Sequence, residues 1–164
     1  MHITKMPPGK LIELPEANEP PGSTFNPLTW TLKVDGLVRS KKALKYGEIL
    51  FLRNEIRIDN YRPFGWEPGE VKWEGFPVRY ILSLTQPTNL ARFVLFYSEG
   101  LRKGMSIADV LEYNPILAFK INGNVLDPKL GGPLRLVYDD GTDHFGIKWI
   151  GRVELVDKKP EDAV

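Results

Sequence analysis

Cysteine is missing from all 164 residues. With it go disulfides, thiolate metal sites, cysteine nucleophiles and dithiol redox pairs. Histidine is nearly missing too: His2 and His144 are the only imidazoles, too few for a histidine zinc site without carboxylates brought from afar. An excess of one charge sign is also lacking. The 22 Lys and Arg face 21 Asp and Glu, a formal net charge of +1. No overall field therefore gathers nucleic acid or an anionic membrane, and neither is an expected partner. Long apolar runs are absent as well. The longest resemble Phe93-Val-Leu-Phe96, far short of a bilayer span. No apolar region follows the basic residues near the N-terminus, so no secretory signal is legible and the cytoplasm is the expected location.

What is present suits a globular chain: 42% hydrophobic and 26% charged residues in a length that fits one domain with a real core. Pro7, Pro8, Pro15, Pro20, Pro21 and Pro27 punctuate the start, so residues 1–27 read as an extended arm. Residues 28–157 read as the domain and 158–164 as a charged, frayed tail. Within the domain, Trp30, Leu32 and Val34 alternate with polar residues, as on a half-buried strand. Leu44–Leu52 fits a short helix, Glu55–Asp59 a strand, and Val78–Leu84 a helix that starts just past Pro77. Arg92–Tyr97 and Ile116–Ile121 read as strands, the second ending in an Asn122-Gly123 turn. Between them Ser106-Ile-Ala-Asp109 opens a short helix like a capping box with Asp in place of Glu. Leu134–Tyr138 and Ile147–Val156 complete the set. Many short strands, few helices and no βαβ rhythm predict an α+β domain of mixed, mainly β sheet.

Three constellations could carry chemistry. Leu130-Gly-Gly-Pro-Leu-Arg135 sets two glycines beside an arginine. The amides of Gly131 and Gly132 and the guanidinium fork of Arg135 suit an oxyanion; the residues alone favour a tight turn with Arg135 in a salt bridge. Asp139–Trp149 holds three aspartates without calcium-loop spacing, and His144 and Lys148, each either an anion contact or an ordinary loop or strand residue. Asn60–Pro77 crowds Tyr61, Arg62, Trp66 and Trp73 among glycines and prolines, poor material for a helix or regular strand. Its tryptophans form either a core plug or a rigid wall for a planar ligand. No Ser-His-Asp spacing, Walker loop or dinucleotide fingerprint is present.

Taken together, these segments resemble the molybdopterin-binding domain of the sulfite oxidase family, which includes the methionine-sulfoxide reductase catalytic subunits. The resemblance runs from about Trp30 to Leu155. It rests on Trp30-Thr-Leu-Lys-Val-Asp-Gly-Leu-Val38, on Gly65-Trp66 with Val71-Lys-Trp-Glu-Gly-Phe-Pro77, and on Ile116-Leu-Ala-Phe-Lys-Ile-Asn-Gly123. Gly131-Gly-Pro-Leu-Arg-Leu-Val137 and Lys148-Trp-Ile-Gly-Arg-Val-Glu-Leu155 complete it. It implies an α+β fold burying a pterin, with Tyr61, Arg62, Trp66, Gly131, Gly132, Arg135, His144 and Lys148 around a small anionic ligand or molybdopterin.

One departure stands out. In the family, the cysteine that ligates molybdenum opens a Cys-x-x-Gly-Trp pattern. This chain has Arg62-Pro-Phe-Gly-Trp66. A guanidinium stays protonated and has no lone pair for a metal, so no protein ligand to molybdenum is expected and no catalytic residue is assigned. Gly146-Ile147 also runs straight into Lys148-Trp149, which shortens the family's segment at the cofactor's phosphate end, and the family's Asp-Gly-Tyr reads Glu99-Gly100-Leu101. Two other outcomes stay open: an oxidoreductase working without a protein thiolate, and a cofactor-free structural or interaction module.

Overall fold

The computed structural model describes residues 25–52, 54–61, 69–138 and 146–164, with 57–61, 69 and 70 as backbone alone. The proline-rich residues 1–24, and Arg62, Trp66 and His144, lie outside the described residues. The ring of Phe25 meets Trp30 and Tyr46 edge-on, with centroids 6.0 and 5.1 Å away.

Strand β1 (Thr31–Gly36) buries Leu32 and Val34 completely, as their alternation predicts. The expected helix over Leu44–Leu52 resolves differently. Residues Lys42–Lys45 form β2, which pairs antiparallel with β1, and only Tyr46–Ile49 is helical (α1). Then come β3 (Glu55–Tyr61) and β4 (Gly69–Pro77). The nine-residue β4 corrects the expectation that Asn60–Pro77 is poor material for a strand. It is held on both sides, by β3 and by β7 (Ile116–Ile121), with a register shift at Glu74/Gly75. Hydrogen bonding from two neighbours overrides the weak local propensity of glycine.

Helix α2 (Val78–Thr85) starts after Pro77 as expected, and Gln86 ends it in the left-handed region at φ 53°. Strand β5 (Phe93–Ser98) is followed by β6 (Leu101–Ser106), which the sequence did not announce. Helix α3 (Ile107–Tyr113) opens at the expected cap, where Ser106 Oγ accepts from Asp109 N at 3.0 Å. Replacing an N-cap serine by alanine costs about 1 kcal/mol. Ser106→Ala therefore lowers the thermal midpoint by about 2–4 °C for a chain of this size. An unchanged midpoint by circular dichroism would show that the cap carries no weight.

After β7, Asn122 and Gly123 turn the chain with φ of 49° and 83°, the mirror-image turn that an Asn-Gly pair specifies, into β8 (Asn124–Val125). A 3-10 turn over Pro128–Leu130, β9 (Arg135–Val137) and β10 (Arg152–Val156) finish the chain.

The strands form two sheets. One runs β2-β1-β10-β5-β6, with β1 and β10 parallel and the other pairs antiparallel. The other runs β3-β4-β7-β8, with β9 also paired to β7. A shared core draws Leu32, Val34, Phe96, Val153 and Leu155 from the first sheet, Phe76, Leu117, Phe119 and Leu136 from the second, and Val78 and Ile81 from α2. The α+β, mainly β architecture agrees with the sequence expectation.

Residues 158–164 are docked rather than frayed. Gly104 N donates to Val164 O and Val164 N to Arg102 O, each at 2.8 Å. Arg102 pairs with Asp162, whose carboxyl is held below its usual range by that guanidinium. The stem of Lys159 lies over Gly104. The C-terminal segment thus pairs with β6 at the end of the first sheet, where unpaired backbone would otherwise be exposed.

Candidate functional site

The second sheet has a further apolar cluster besides the shared core. Val71, Trp73, Ile116, Ala118, Ile121 and Val137 form it with Leu126 and Leu130, while their strand neighbours Leu117, Phe119 and Leu136 belong to the main core. This is the alternation of a pleated sheet with both faces covered. Arg135 aligns with Ala118 on β7 and shares the face of Val137, two residues on. It enters that second cluster as a charged member.

Burial marks the site. Arg135 and Lys148 are each only 1% exposed, far from the usual state of these residue types. Arg135 Nη1 donates to Leu130 O at 2.9 Å, and its guanidinium carbon lies 5.1 Å from the Trp73 ring centroid, within cation–π range. Lys148 Nζ stands 5.5 Å from the Trp149 ring centroid. Gly131, at φ 113°, is where the two cationic side chains meet. A Cβ added there would lie 3.0 Å from Lys148 Cγ and 3.2 Å from Arg135 Cβ and Cδ. Gly131 therefore lets both stems close on one point.

The glycine amides do something other than wait for an anion. Gly131 N donates to Pro128 O at 3.1 Å and Gly132 N to Asp127 O at 3.0 Å. A Cβ on Gly132 would fall 2.0 Å from Leu126 O. Both glycines thus build the tight turn, and the positive charge on this face comes from side chains.

Residues 148–150 clamp the turn from the other side. Trp149 takes φ 61°, unusual for a residue with a side chain. Its amide donates to Gly131 O at 3.2 Å and its indole Nε1 to Pro128 O at 2.6 Å. Ile150 N donates to Leu134 O at 2.9 Å, and Ser98 Oγ to Lys148 O at 2.7 Å. This bend explains why Lys148 is not on an outer strand face.

Of the sequence-predicted residues, the structure brings together Gly131, Gly132, Arg135 and Lys148. Tyr61 ends β3, aligned with Gly69, and is described by backbone alone. Trp73, read from sequence as either a core plug or a ligand wall, and Trp149, not singled out there, supply the aromatic surfaces nearest the two cations. Their signal was present in the quoted Lys72-Trp73 and Lys148-Trp149 pairs, but which ring meets which cation depends on strand pairing. A surface hollow of about 360 Å³ lies elsewhere, lined by Tyr97, Ser98, Gly100, Leu101, Arg102 and Asp162. There Arg102 already pairs with Asp162, so the hollow offers an anion no uncompensated charge.

A family model described as the oxidoreductase molybdopterin binding domain matches residues 18–164. The chain is 30% identical over 156 residues to the protein-methionine-sulfoxide reductase catalytic subunit MsrP of Gluconobacter oxydans, covering 84% of this chain and 50% of that protein. It is 27% identical over 159 residues to the MsrP of Ralstonia nicotianae, covering 84% and 46%. Among solved structures, the sulfane dehydrogenase SoxCD of Paracoccus pantotrophus superposes with a TM-score of 0.71 at 17% identity, covering 96% of this chain and 45% of that one. That likeness is one of fold. The chain spans about half the length of the curated relatives it matches.

Proposed function

This chain belongs to the oxidoreductase molybdopterin-binding domain family, and from that premise we propose that it binds a phosphorylated pterin through Arg135 and Lys148 without the thiolate-ligated molybdenum oxotransfer of its relatives. The observation that carries the reading is the burial of two cationic side chains against Gly131.

Those residues fit one part of such a cofactor. A guanidinium fork matches two phosphate oxygens, and an ammonium adds a compact charge beside it. Out of bulk water, each contact with an anion is stronger than it would be on a surface. The 128–134 turn and the Trp149 clamp hold both stems before a ligand arrives, so little ordering remains to be done on binding. Leu126 and Leu130 keep the cluster apolar on the same face.

The residues do not fit the metal part. Molybdenum held by a dithiolene takes a soft thiolate from the protein in this family, and the chain has no cysteine. Among the described residues no group of three or more His, Asp or Glu converges to hold a metal instead. No reaction step is therefore assigned to a protein-ligated metal.

The test is a pterin and metal measurement on protein purified from a host that makes the molybdenum cofactor. The expected result is released pterin near one per chain, read by fluorescence after oxidation, with molybdenum well below it. Protein that releases no pterin would overturn the binding reading. Molybdenum equal to pterin, together with sulfite or sulfoxide turnover, would overturn the second half and favour an active enzyme.

A further inference from the structure

Trp73 is 1% exposed, and its indole Nε1 has no hydrogen-bond partner among the described residues. A buried donor left unmade costs about 1–3 kcal/mol, and such groups in native proteins are rare enough to need a reason. The tryptophan on the other cation shows the usual outcome, since Trp149 Nε1 donates to Pro128 O. The position of Trp73 suggests what completes its donor. Arg135 lies over its face at 5.1 Å, and the cluster that Trp73 belongs to is apolar among the described residues.

We infer that Trp73 is a further ligand-positioning residue, whose indole N–H donates to an oxygen of the same phosphate-like group that Arg135 binds. The inference rests on the anion-binding reading above and adds a third donor to it. The electrostatics of the ring agree. An aromatic face is negative and its edge positive, so a cation belongs over the face and an anion at the edge. Arg135 occupies the face; the N–H is the strongest donor on the edge. An anion held by the guanidinium beside that ring meets, at the ring edge, an indole donor that has no partner among the described residues. The donor is also shielded from bulk water, so only a ligand that enters the site reaches it.

The test is an indole 15N–1H titration of the full chain with inorganic pyrophosphate. Trp73→Phe assigns the signal and also serves as the affinity variant. Phenylalanine keeps an aromatic face for Arg135 but has no N–H. The expected result is a saturable shift of the Trp73 indole signal to higher proton frequency. In parallel, Trp73→Phe weakens pyrophosphate binding by about tenfold or more, as expected for a hydrogen bond to a charged group. If Trp73→Phe does not fold, the signal is assigned in the unaltered protein through its contacts with Arg135 and Ile121, and the shift alone decides. Two results overturn the inference, and they are distinguishable. Pyrophosphate that shifts the Gly131 and Trp149 signals but leaves the Trp73 indole still, with Trp73→Phe binding equally well, removes Trp73 and keeps the anion site. Pyrophosphate that shifts none of them removes the anion site and the inference with it.

Discussion

Arg135→Gln binds inorganic pyrophosphate roughly 10- to 150-fold more weakly than the unaltered protein, the range set by losing a hydrogen-bonded charge worth about 1.5–3 kcal/mol. Glutamine keeps a polar amide but stops two bonds short of the Nη1 that now donates to Leu130 O. It loses the fork, the charge and the cation over the Trp73 face. Because Arg135 is 1% exposed, the variant is also less stable, and the two effects must be separated. Calorimetric titration gives the affinity, while circular dichroism at the same temperature establishes that the variant is folded. Arg135→Lys separates them further: it restores the charge without the planar fork, so its affinity falls between the two. A folded Arg135→Gln with unchanged affinity would make Arg135 a structural cation and leave the site without its principal donor.

The ease of reading this chain differs sharply between segments, for physical reasons. Signals confined to a few neighbouring residues came through. Leu32 and Val34 alternate on β1, Ser106 and Asp109 cap α3, and Asn122-Gly123 turns β7 into β8. Each is settled within about one turn of chain. Strand β4 was not legible, because its glycines and Pro77 argue against a strand and only pairing with β3 and β7 makes it one. Strand β6 hid for a related reason. Its Leu-Arg-Lys-Gly-Met-Ser run lacks apolar alternation, and part of its cover comes from the C-terminal segment, some sixty positions away in sequence.

The site divides in the same way. Gly131, Gly132, Arg135 and Lys148 were legible as a group only because their motifs resemble a family, and in the structure the Arg135 and Lys148 stems close on Gly131. What those residues do locally was not legible. The glycine amides looked available but bond back to Asp127 and Pro128. Lys148 looked like the outer face of a strand, yet the left-handed Trp149 bends the chain and buries it. A single residue with φ 61° breaks the alternation on which any strand-face reading depends. Trp73 became informative only once Arg135 was seen over its ring.

Arg62→Cys raises the molybdenum content of protein made in a cofactor-producing host from a small fraction of the pterin to near parity. Arg62 lies outside the described residues, so this expectation comes from sequence pattern and donor chemistry. The Arg62-Pro-Phe-Gly-Trp66 run keeps the glycine and tryptophan of its family pattern and changes the ligand alone. A guanidinium cannot donate a lone pair to a metal. A thiol beside a bound cation ionises readily and supplies the soft donor that molybdenum favours. Arg62→Ser is the control of similar size. Its hydroxyl is a hard, weakly acidic donor, so molybdenum stays low although the bulk of the arginine is gone. Metal analysis against released pterin distinguishes the outcomes. If Arg62→Cys retains pterin but gains no molybdenum, position 62 does not correspond to the family's ligand position. If Arg62→Ser gains as much as Arg62→Cys, the arginine acted by blocking the site rather than by failing to ligate. A gain confined to cysteine would mean that the Arg135–Lys148 end of the site can hold the cofactor by itself, and that one side chain separates this domain from a metal-ligating one.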